Sequence, residues 1–189
     1  ALAAEIDRLR AEGTTPLPPL QVVDRDRPLP LSFAQQRLWF IDRLEPGSTQ
    51  YNLPVVLRLT GQIDGPALAR AIGALVQRHE SLRTVFALHG GEAVQVIAPA
   101  PTEYELPFED LSAADDAHGA AWRRAREEAG VAFDLERGPL FRARLLRIDA
   151  DRHLLLLVMH HTVSDGWSLG IVFRELAAQF HCTNIRVSA

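Results

Sequence analysis

The chain contains no lysine, a single cysteine and few aromatic residues. All 20 basic residues are therefore arginine, and 24 acidic residues give a net charge of −4, which does not provide the basic surface expected of a nucleic-acid-binding protein. Cys182 alone excludes an internal disulfide and favours a reducing compartment. No apolar run approaches the ~18 residues that a membrane span needs, and no segment resembles a signal peptide. We therefore expect neither nucleic acid nor a membrane as a partner.

Hydrophobic periodicity and turn residues predict an alternation of helices and strands. A length of 189 residues suits one domain or one lobe of a larger protein. A short helical pattern covers residues 2–10, and a stretch rich in proline and polar residues follows at 14–30. Helices are predicted at residues 33–44, 66–78 and 112–130, and strands at 55–59, 84–88, 93–97, 140–148 and 154–159. This pattern predicts an α/β fold, a mixed β-sheet with packed helices.

Several details of this pattern are specific enough to test. Ser32 is placed to cap the first long helix, and Ser112 is placed to open the third one. Arginines alternate with apolar residues along the strand at 140–148, which predicts one solvated face and leaves open a contact with a partner. These arginines are Arg142, Arg144 and Arg147. The three tryptophans, Trp39, Trp122 and Trp167, are predicted to lie in the core.

The most informative segment is MHHTVSDGWS at residues 159–168. It follows an apolar run and precedes an amphipathic one, so it links a buried strand to a helix, at the sheet edge where open α/β folds bind ligands. Successive strand residues face opposite ways, so only one of His160 and His161 can enter a cleft while the other packs behind it. Imidazole suits proton transfer because its unperturbed pKa is ~6.5.

Two other interpretations of this segment stay open at this point. The histidine pair can be structural, with its nitrogens satisfied by the backbone, and Asp165 can clamp the turn before Gly166 by pairing with a cation or with backbone N–H groups. His161 and Asp165 can also form half of a metal site. Because no third and fourth ligands occur at a recognisable spacing, we predict that no metal is bound.

Residues 160–166 resemble the HHxxxDG signature of condensation domains in nonribosomal peptide synthetases. Four further segments resemble motifs of the same family, in the expected order. They are SFAQQRLWF at 32–40, YNLP at 51–54, RHESLRTVF at 78–86, which resembles the family's second motif and is called the second motif below, and FDL at 133–135 with GPL at 138–140. The chain is thus similar to this family over about residues 30–180, and its motifs resemble those of domains that accept an L-configured donor.

The resemblance implies a chloramphenicol-acetyltransferase-like fold, in which two lobes form a V with the active site between them. It implies a carrier-protein tail helix at residues 1–11, a proline-rich linker at 12–30, the N-terminal lobe of a condensation domain at 31–180, and an unmatched tail at 181–189. The family's domain is roughly twice this length. We therefore expect a missing C-terminal lobe and an isolated chain without activity.

The resemblance also implies the chemistry of an amide-forming acyltransferase in the cytoplasm. An acceptor amine attacks a donor thioester, and both are presented on phosphopantetheine arms by upstream and downstream peptidyl carrier proteins, so no cofactor is bound directly. His161 is the expected catalytic residue. It acts either as the base for the attacking amine or as a hydrogen-bond partner that orients it, and the sequence does not choose between these roles.

The other motif residues are expected to position His161 or the substrate. His160 is expected to orient the turn. By resemblance Asp165 pairs with an arginine of the second motif, with Arg78 favoured and Arg83 as the alternative. Gly166 either brings its N–H close to a developing oxyanion or serves as a simple turn glycine.

Two alternative functions remain at this point. A coenzyme-A-type acyltransferase of the same superfamily would share the signature, but the carrier-like helix before the linker argues against it. A non-catalytic docking module or an inactive truncated fragment would fit the missing lobe and the unmatched tail.

Overall fold

The computed structural model describes residue 19, residues 21–25 and 27–180, and the backbone of residues 185–187. The predicted helix at residues 2–10 lies outside these residues, as do residues 181–184 and 188–189 of the predicted tail.

The described part of the chain forms four α-helices. They are α1 at Phe33–Leu44, α2 at Gly65–Arg78, α3 at Ala117–Ala129 and α4 at Gly166–Gln179. Each helix begins after a side chain that accepts a backbone N–H from the first turn, as stable helix starts require. The caps are Ser32, Asp64, Asp116 and Asp165. At α1 the cap is reciprocal, because the Gln35 side chain accepts the N–H of Ser32 in return.

The strands form two sheets, of which the large one is the mixed sheet that was predicted. The strands are β1 at Leu29–Pro30, β2 at Asn52–Thr60, β3 at Thr84–His89, β4 at Glu92–Ile97, β5 at Phe108–Asp110, β6 at Phe141–Arg147, β7 at Arg152–His160 and β8 at Ile185–Val187. The small sheet has the order β1-β4-β3, and the large sheet has the order β5-β6-β7-β2-β8. β5 runs parallel to β6 and the other large-sheet pairs are antiparallel.

β7 is the central strand of the large sheet, and both of its faces are buried. Leu155, Leu157 and Met159 pack in the layer that holds α2 and α4, while Leu154 and Leu156 pack with α3 on the other face. A strand that is covered on both faces has no solvent-facing positions, so polar and apolar residues do not alternate along it. This explains the continuous apolar run from Leu154 to Met159 in β7.

A third cluster of buried side chains, here the inter-sheet cluster, joins the small sheet to β7. Its centre is Phe86, which is fully buried, and Phe86 also donates its backbone N–H to the Leu135 carbonyl oxygen at 2.7 Å. The other members are Leu31, Phe133, Leu135, Leu140, Val158 and Val163. Because Val163 belongs to the segment after β7, this cluster fixes that segment on the sheet.

Two sequence predictions about helix α3 and strand β6 are wrong. α3 begins at Ala117 after Asp116 rather than at Ser112, since the Asp116 side chain accepts the N–H of Gly119 at 2.8 Å. The Ser112 N–H instead bonds the Asp110 side chain in a turn before the helix.

The predicted solvated face of β6 is also wrong, because α3 covers part of it. Arg144 pairs with Glu128 of α3 at 2.7 Å. Arg142 donates to the carbonyl oxygens of Glu128, Val131 and Ala132, at the C-terminal end of α3 where a cation offsets the helix dipole. These two arginines are therefore held by contacts within the lobe and are half-buried.

Candidate active site

β7 delivers the two histidines of the signature to opposite environments. His160 is its last residue and is buried, whereas His161 is the first residue beyond the strand and is exposed. The chain turns there because the His161 N–H donates to the Tyr51 carbonyl oxygen at 2.9 Å, and the Val163 N–H donates back to the His160 carbonyl oxygen at 3.1 Å. The prediction that only one imidazole is accessible is confirmed.

His160 is held inside the lobe as a neutral ring. Its Nδ1 bonds the Thr162 hydroxyl at 2.9 Å, and its ring packs edge-on against Phe133. Burial, and secondarily the neighbouring His161, lower the pKa of His160 to about 4. A neutral buried imidazole orients the turn but cannot exchange protons with a substrate.

The buried His160 makes stability depend on pH, with a sign that follows from its lowered pKa. As the pH is lowered, the unfolded chain takes up a proton near pH ~6.5 but the folded chain takes it up only near pH 4, so the unfolded state binds more protons between these values. We therefore expect the free energy of unfolding to fall by about 1.4 kcal/mol for each unit by which the pH is lowered in this range. Urea denaturation at pH 7, 6 and 5 measures the slope. His160→Gln should remove this contribution, and an unchanged slope in that variant would contradict it.

His161 faces an open cleft of about 470 Å³. Its Nδ1 lies 2.9 Å from the Ser164 carbonyl oxygen. Because a carbonyl oxygen only accepts hydrogen bonds, Nδ1 carries the proton, and the neutral ring keeps a free lone pair on Nε2. The cleft is lined by Ser32, Ala34, Gln35, Arg37, Leu38, Tyr51, His161, Thr162, Val163, Ser164, Asp165 and Ser168. The site therefore presents one basic nitrogen to whatever enters the cleft.

Gln35 of α1 ties the helix to the segment that carries His161, and sequence reasoning missed it. Its amide N–H group lies 3.3 Å from the Thr162 carbonyl oxygen and 3.3 Å from the side-chain oxygen of Gln95 in β4. The Ser-x-x-Gln spacing indicates its capping role. The contact with Thr162 left no local signal, because 127 positions separate the two residues.

Asp165 caps α4 and does not pair with an arginine of the second motif. One of its oxygens accepts the Ser168 N–H at 2.8 Å and the Ser168 hydroxyl at 2.6 Å, and these bonds lower the pKa of Asp165. The predicted pairing with Arg78 or Arg83 is therefore wrong. A short carboxylate at a helix start is satisfied by its own first turn, which lies closer than any distant cation.

Arg78 and Arg83 serve other contacts within the described residues. Arg78 lies 3.4 Å from Glu175 of α4, which also accepts His79 at 2.8 Å. Arg83 contacts Glu80 and the Ala98 carbonyl oxygen. The second motif thus holds α2 against α4 and does not reach the cleft.

Gly166 is the first residue of α4, and the fold itself does not require a glycine there. Its φ is not positive, and a Cβ atom at this position would meet nothing within 4 Å. A turn glycine is normally needed for positive φ or for close packing. Neither reason applies, so any demand for glycine comes from something that approaches Gly166 from outside the lobe.

The tryptophans divide between core and surface. Trp39 and Trp122 are half-buried against the clusters under α1 and α3, as predicted. Trp167 is 84 % exposed at the start of α4, so its predicted core position is wrong. The buried face of α4 is formed by Val172 and Leu176 instead.

The described residues contain no group of three or more His, Cys, Asp or Glu side chains arranged to hold a metal ion. No helix among them has the length and apolar character to cross a bilayer.

Comparison with known proteins places this geometry in a family. A family model described as "Condensation domain" matches residues 26–184. A subunit of the linear gramicidin synthase of Brevibacillus parabrevis is 50 % identical over 166 residues, 87 % of this chain and 3 % of that protein. Phosphinothricin tripeptide synthetase PhsC of Streptomyces viridochromogenes is 47 % identical over 168 residues, 88 % of this chain and 15 % of that protein. The chain thus spans a small part of these relatives.

Solved structures of two condensation domains share the fold. The starter condensation domain of rhizomide synthetase RzmA matches with a TM-score of 0.76 and 25 % identity, over 81 % of this chain and 38 % of that one. The first condensation domain of the CDA synthetase matches with a TM-score of 0.74 and 27 % identity, over 81 % of this chain and 40 % of that one. Since the family model matches most of the chain and these solved domains share its fold, the chain is a member of the condensation domain family of nonribosomal peptide synthetases.

Proposed function

We propose that this lobe takes part in forming an amide bond between two carrier-tethered thioesters. The observation that carries the proposal is the free Nε2 of His161 in the open cleft, with its tautomer fixed by the Ser164 carbonyl oxygen. The family, and relatives named as a linear gramicidin synthase and a tripeptide synthetase, support the same reaction class.

The proposed step exchanges one bond for another. The α-amine nitrogen of the acceptor attacks the thioester carbonyl of the donor, so a C–N bond forms and the C–S bond breaks. The proton leaves the amine toward Nε2 of His161, and the departing thiolate is protonated to a thiol. An unperturbed α-amine has a pKa near ~8, so about a tenth is already neutral at pH 7. His161 therefore acts on the attacking amine and does not have to create the nucleophile from a fully charged one.

Asp165 and Gly166 are proposed to shape the part of the cleft that lies beside His161. Asp165 fixes the start of α4 through Ser168. The open space over Gly166 lets a tethered substrate approach the backbone there. In this arrangement Asp165 is a positioning residue, and the Gly166 N–H is available to a developing oxyanion.

Gly166→Ala separates a substrate-facing glycine from a structural one. The added methyl group meets no atom of the chain and replaces a poor helix former by a good one, so we expect the free energy of unfolding to stay equal or to rise by up to ~1 kcal/mol. Amide formation should nevertheless fall, by about tenfold or more, because the methyl group occupies the approach to the cleft. Chemical denaturation and a rate assay on the same variant measure both quantities. Equal activity of the wild-type and Gly166→Ala proteins would show that Gly166 does not face the substrate.

Gln35→Leu tests whether α1 positions His161. The leucine loses the bonds to Thr162 and Gln95 and also the acceptor of the Ser32 N–H in the helix cap, so we expect kcat to fall about tenfold with little change in KM. Ser32→Ala is the control for the cap, because it removes the hydroxyl that accepts the Gln35 N–H and leaves the contacts with Thr162 and Gln95 in place. An equal loss in both variants would point to helix stability instead.

The partners follow from this reaction. Upstream and downstream peptidyl carrier proteins would present phosphopantetheine arms to the cleft, and a C-terminal lobe would supply its far wall. Residues 1–11 would end a preceding carrier protein, and the following linker would lead into the lobe. The lobe is wider than the predicted 31–180, because β1 at Leu29–Pro30 pairs with β4 and β8 at Ile185–Val187 pairs with β2. The setting would be the cytoplasm.

The test is transfer between two loaded carrier proteins, followed by mass spectrometry of the carrier-bound product. The lobe is assayed alone and joined to a C-terminal condensation lobe. We expect an amide product only when the lobe is completed. Turnover with free coenzyme A thioesters but not with carriers would indicate a coenzyme-A-type acyltransferase. Carrier binding without any product would indicate a docking module.

A further inference from the structure

A second cavity, of about 670 Å³, lies at the opposite end of β7 from His161. His153, the second residue of β7, lines it together with the start of α2 and the edge formed by β5 and β6. At ~3.3 Å per strand residue, residues 153 and 161 are about 26 Å apart. The cavity is therefore separate from the cleft, and its role does not depend on amide formation.

His153 is the unusual group of this cavity. The residue is only 6 % exposed, and its Nδ1 is buried without a hydrogen-bond partner. Burial, and then the nearby Arg147, lower the pKa of His153, so the ring is neutral. A buried polar atom without a partner is costly and rare in folded proteins. Nδ1 has almost no accessible surface, so a molecule in the cavity would meet the other nitrogen, Nε2, for which no hydrogen bond is made within the described residues. The cavity that His153 lines is large enough to hold a small molecule.

The walls of the cavity are mostly apolar. α2 begins at Gly65 and leaves this end of the sheet uncovered, so the Phe108 side chain is 57 % exposed although Leu145 beside it is buried. Ile63, Pro66, Ala69 and Leu106 complete the apolar lining. A flat ring bound against these side chains would bury apolar surface of the ring and of the cavity wall, and it would contact the ring of Phe108.

The charges around the cavity already have partners. The Arg147 guanidinium lies 3.3 Å from an Asp110 side-chain oxygen and donates to the Asp149 carbonyl oxygen at 3.2 Å. Asp110, Asp149 and Asp151 also act on His153, in opposition to Arg147. An anionic ligand would meet these carboxylates and a cationic one would meet Arg147. A neutral ligand avoids both costs.

We propose that this cavity binds a neutral aromatic ring that carries one hydroxyl group. The ring would rest on Phe108 and the hydroxyl would pair with His153. A hydroxyl both donates and accepts, so it satisfies either tautomer of a neutral imidazole. The group can come from a free phenolic molecule or from a tyrosine side chain of a neighbouring polypeptide segment.

Titration of the ¹⁵N-labelled 189-residue chain, followed by NMR, tests the proposal with four probes of one shape: p-cresol, toluene, p-toluate and 4-methylbenzylamine. We expect saturable shifts at His153 and Leu145 with p-cresol, at a Kd on the order of 1 mM. The other three probes should bind about fivefold more weakly. Toluene lacks the hydroxyl group that would make the hydrogen bond, and p-toluate and 4-methylbenzylamine carry a charge. Equal binding of all four, or no saturable shift, would overturn the proposal.

Two variants and a control locate the binding. His153→Phe should weaken p-cresol about fivefold and leave toluene unchanged. Phe108→Ala replaces an exposed side chain, so the fold is kept, and should weaken every probe that binds. His89→Phe, at the exposed end of β3, should change nothing. Undiminished p-cresol binding in both cavity variants would place the probe elsewhere and refute the assignment.

A last comparison distinguishes the source of the group. N-acetyltyrosine amide and a tyrosine-centred pentapeptide are titrated beside p-cresol. Tighter binding of the peptide indicates a polypeptide anchor, and equal or weaker binding indicates a free phenol. Both results retain the proposed chemistry.

Discussion

His161→Ala in the completed condensation domain is expected to lower the rate of amide formation by about 10² to 10⁴-fold, the range for loss of a positioned base. The reason is geometric: His161 holds Nδ1–H on the Ser164 carbonyl oxygen and offers Nε2 to the cleft. The measurement is single-turnover transfer between loaded carrier proteins. His89→Ala, an exposed histidine outside the cleft, should keep the full rate.

A second variant at the same position separates the two roles of His161. His161→Gln keeps a hydrogen-bonding group in the cleft but removes the basic nitrogen. If His161 mainly orients the amine, this variant should keep a large part of the rate that alanine loses. If His161 takes the proton, glutamine and alanine should lose similar amounts. Wild-type rates in both variants would contradict any catalytic role for His161.

Phe86→Ala is expected to have the largest effect on stability, a loss of about 3–5 kcal/mol in the free energy of unfolding. Phe86 is fully buried at the centre of the inter-sheet cluster, and the cavity left by its ring would lie between the small sheet and β7. Urea denaturation followed by circular dichroism measures the loss. Because Val163 belongs to the same cluster, signals of the segment that carries His161 should broaden or shift in NMR spectra of the variant.

Phe40→Ala is the matched control for this prediction. Phe40 lies on α1 and is 58 % exposed, so removing its ring takes little apolar surface from the core and should cost less than ~1 kcal/mol. Similar losses in the two variants would show that the inter-sheet cluster does not hold the two sheets together.

Local signals predicted much of the fold because they act over a few residues. The Ser32 cap and the apolar face of α2 are such signals, and the helices at Phe33–Leu44 and Gly65–Arg78 follow them closely. The strands at 84–88 and 93–97 were predicted, and Gly90 and Gly91 between them take the positive φ that a tight hairpin turn requires. Errors arose where more than one side chain could supply a helix cap, as at Asp116, which caps α3 in place of Ser112.

Long-range pairing explains what the sequence did not reveal. β2 extends beyond its predicted bounds because it pairs with β7 along its whole length, from Asn52 opposite His160 to Thr60 opposite Arg152. Arg58 interrupts the apolar pattern of β2, yet its guanidinium lies 6.0 Å from the ring of Trp122, where a cation–π contact accommodates it. Such partners are distant in sequence and leave no local periodicity.

The candidate site shows the same division. Strand alternation predicted that only one of the two histidines is accessible. The sequence left Asp165 a choice between a cation and backbone N–H groups, of which the structure has the Ser168 N–H, and it did not predict that Gln35 reaches Thr162. The first of these is a choice between equally plausible hydrogen-bond partners, and the second depends on how α1 packs over the end of β7.

The tautomer of His161 is the property on which its proposed role depends most directly. Long-range ¹H–¹⁵N correlation spectra of the histidine-labelled chain at pH 8 distinguish a protonated ring nitrogen from one with a free lone pair. We predict protonated Nδ1 and unprotonated Nε2 for His161, as the Ser164 contact requires. A proton found on Nε2 in the neutral ring would leave the cleft without a basic nitrogen and would contradict the proposed role.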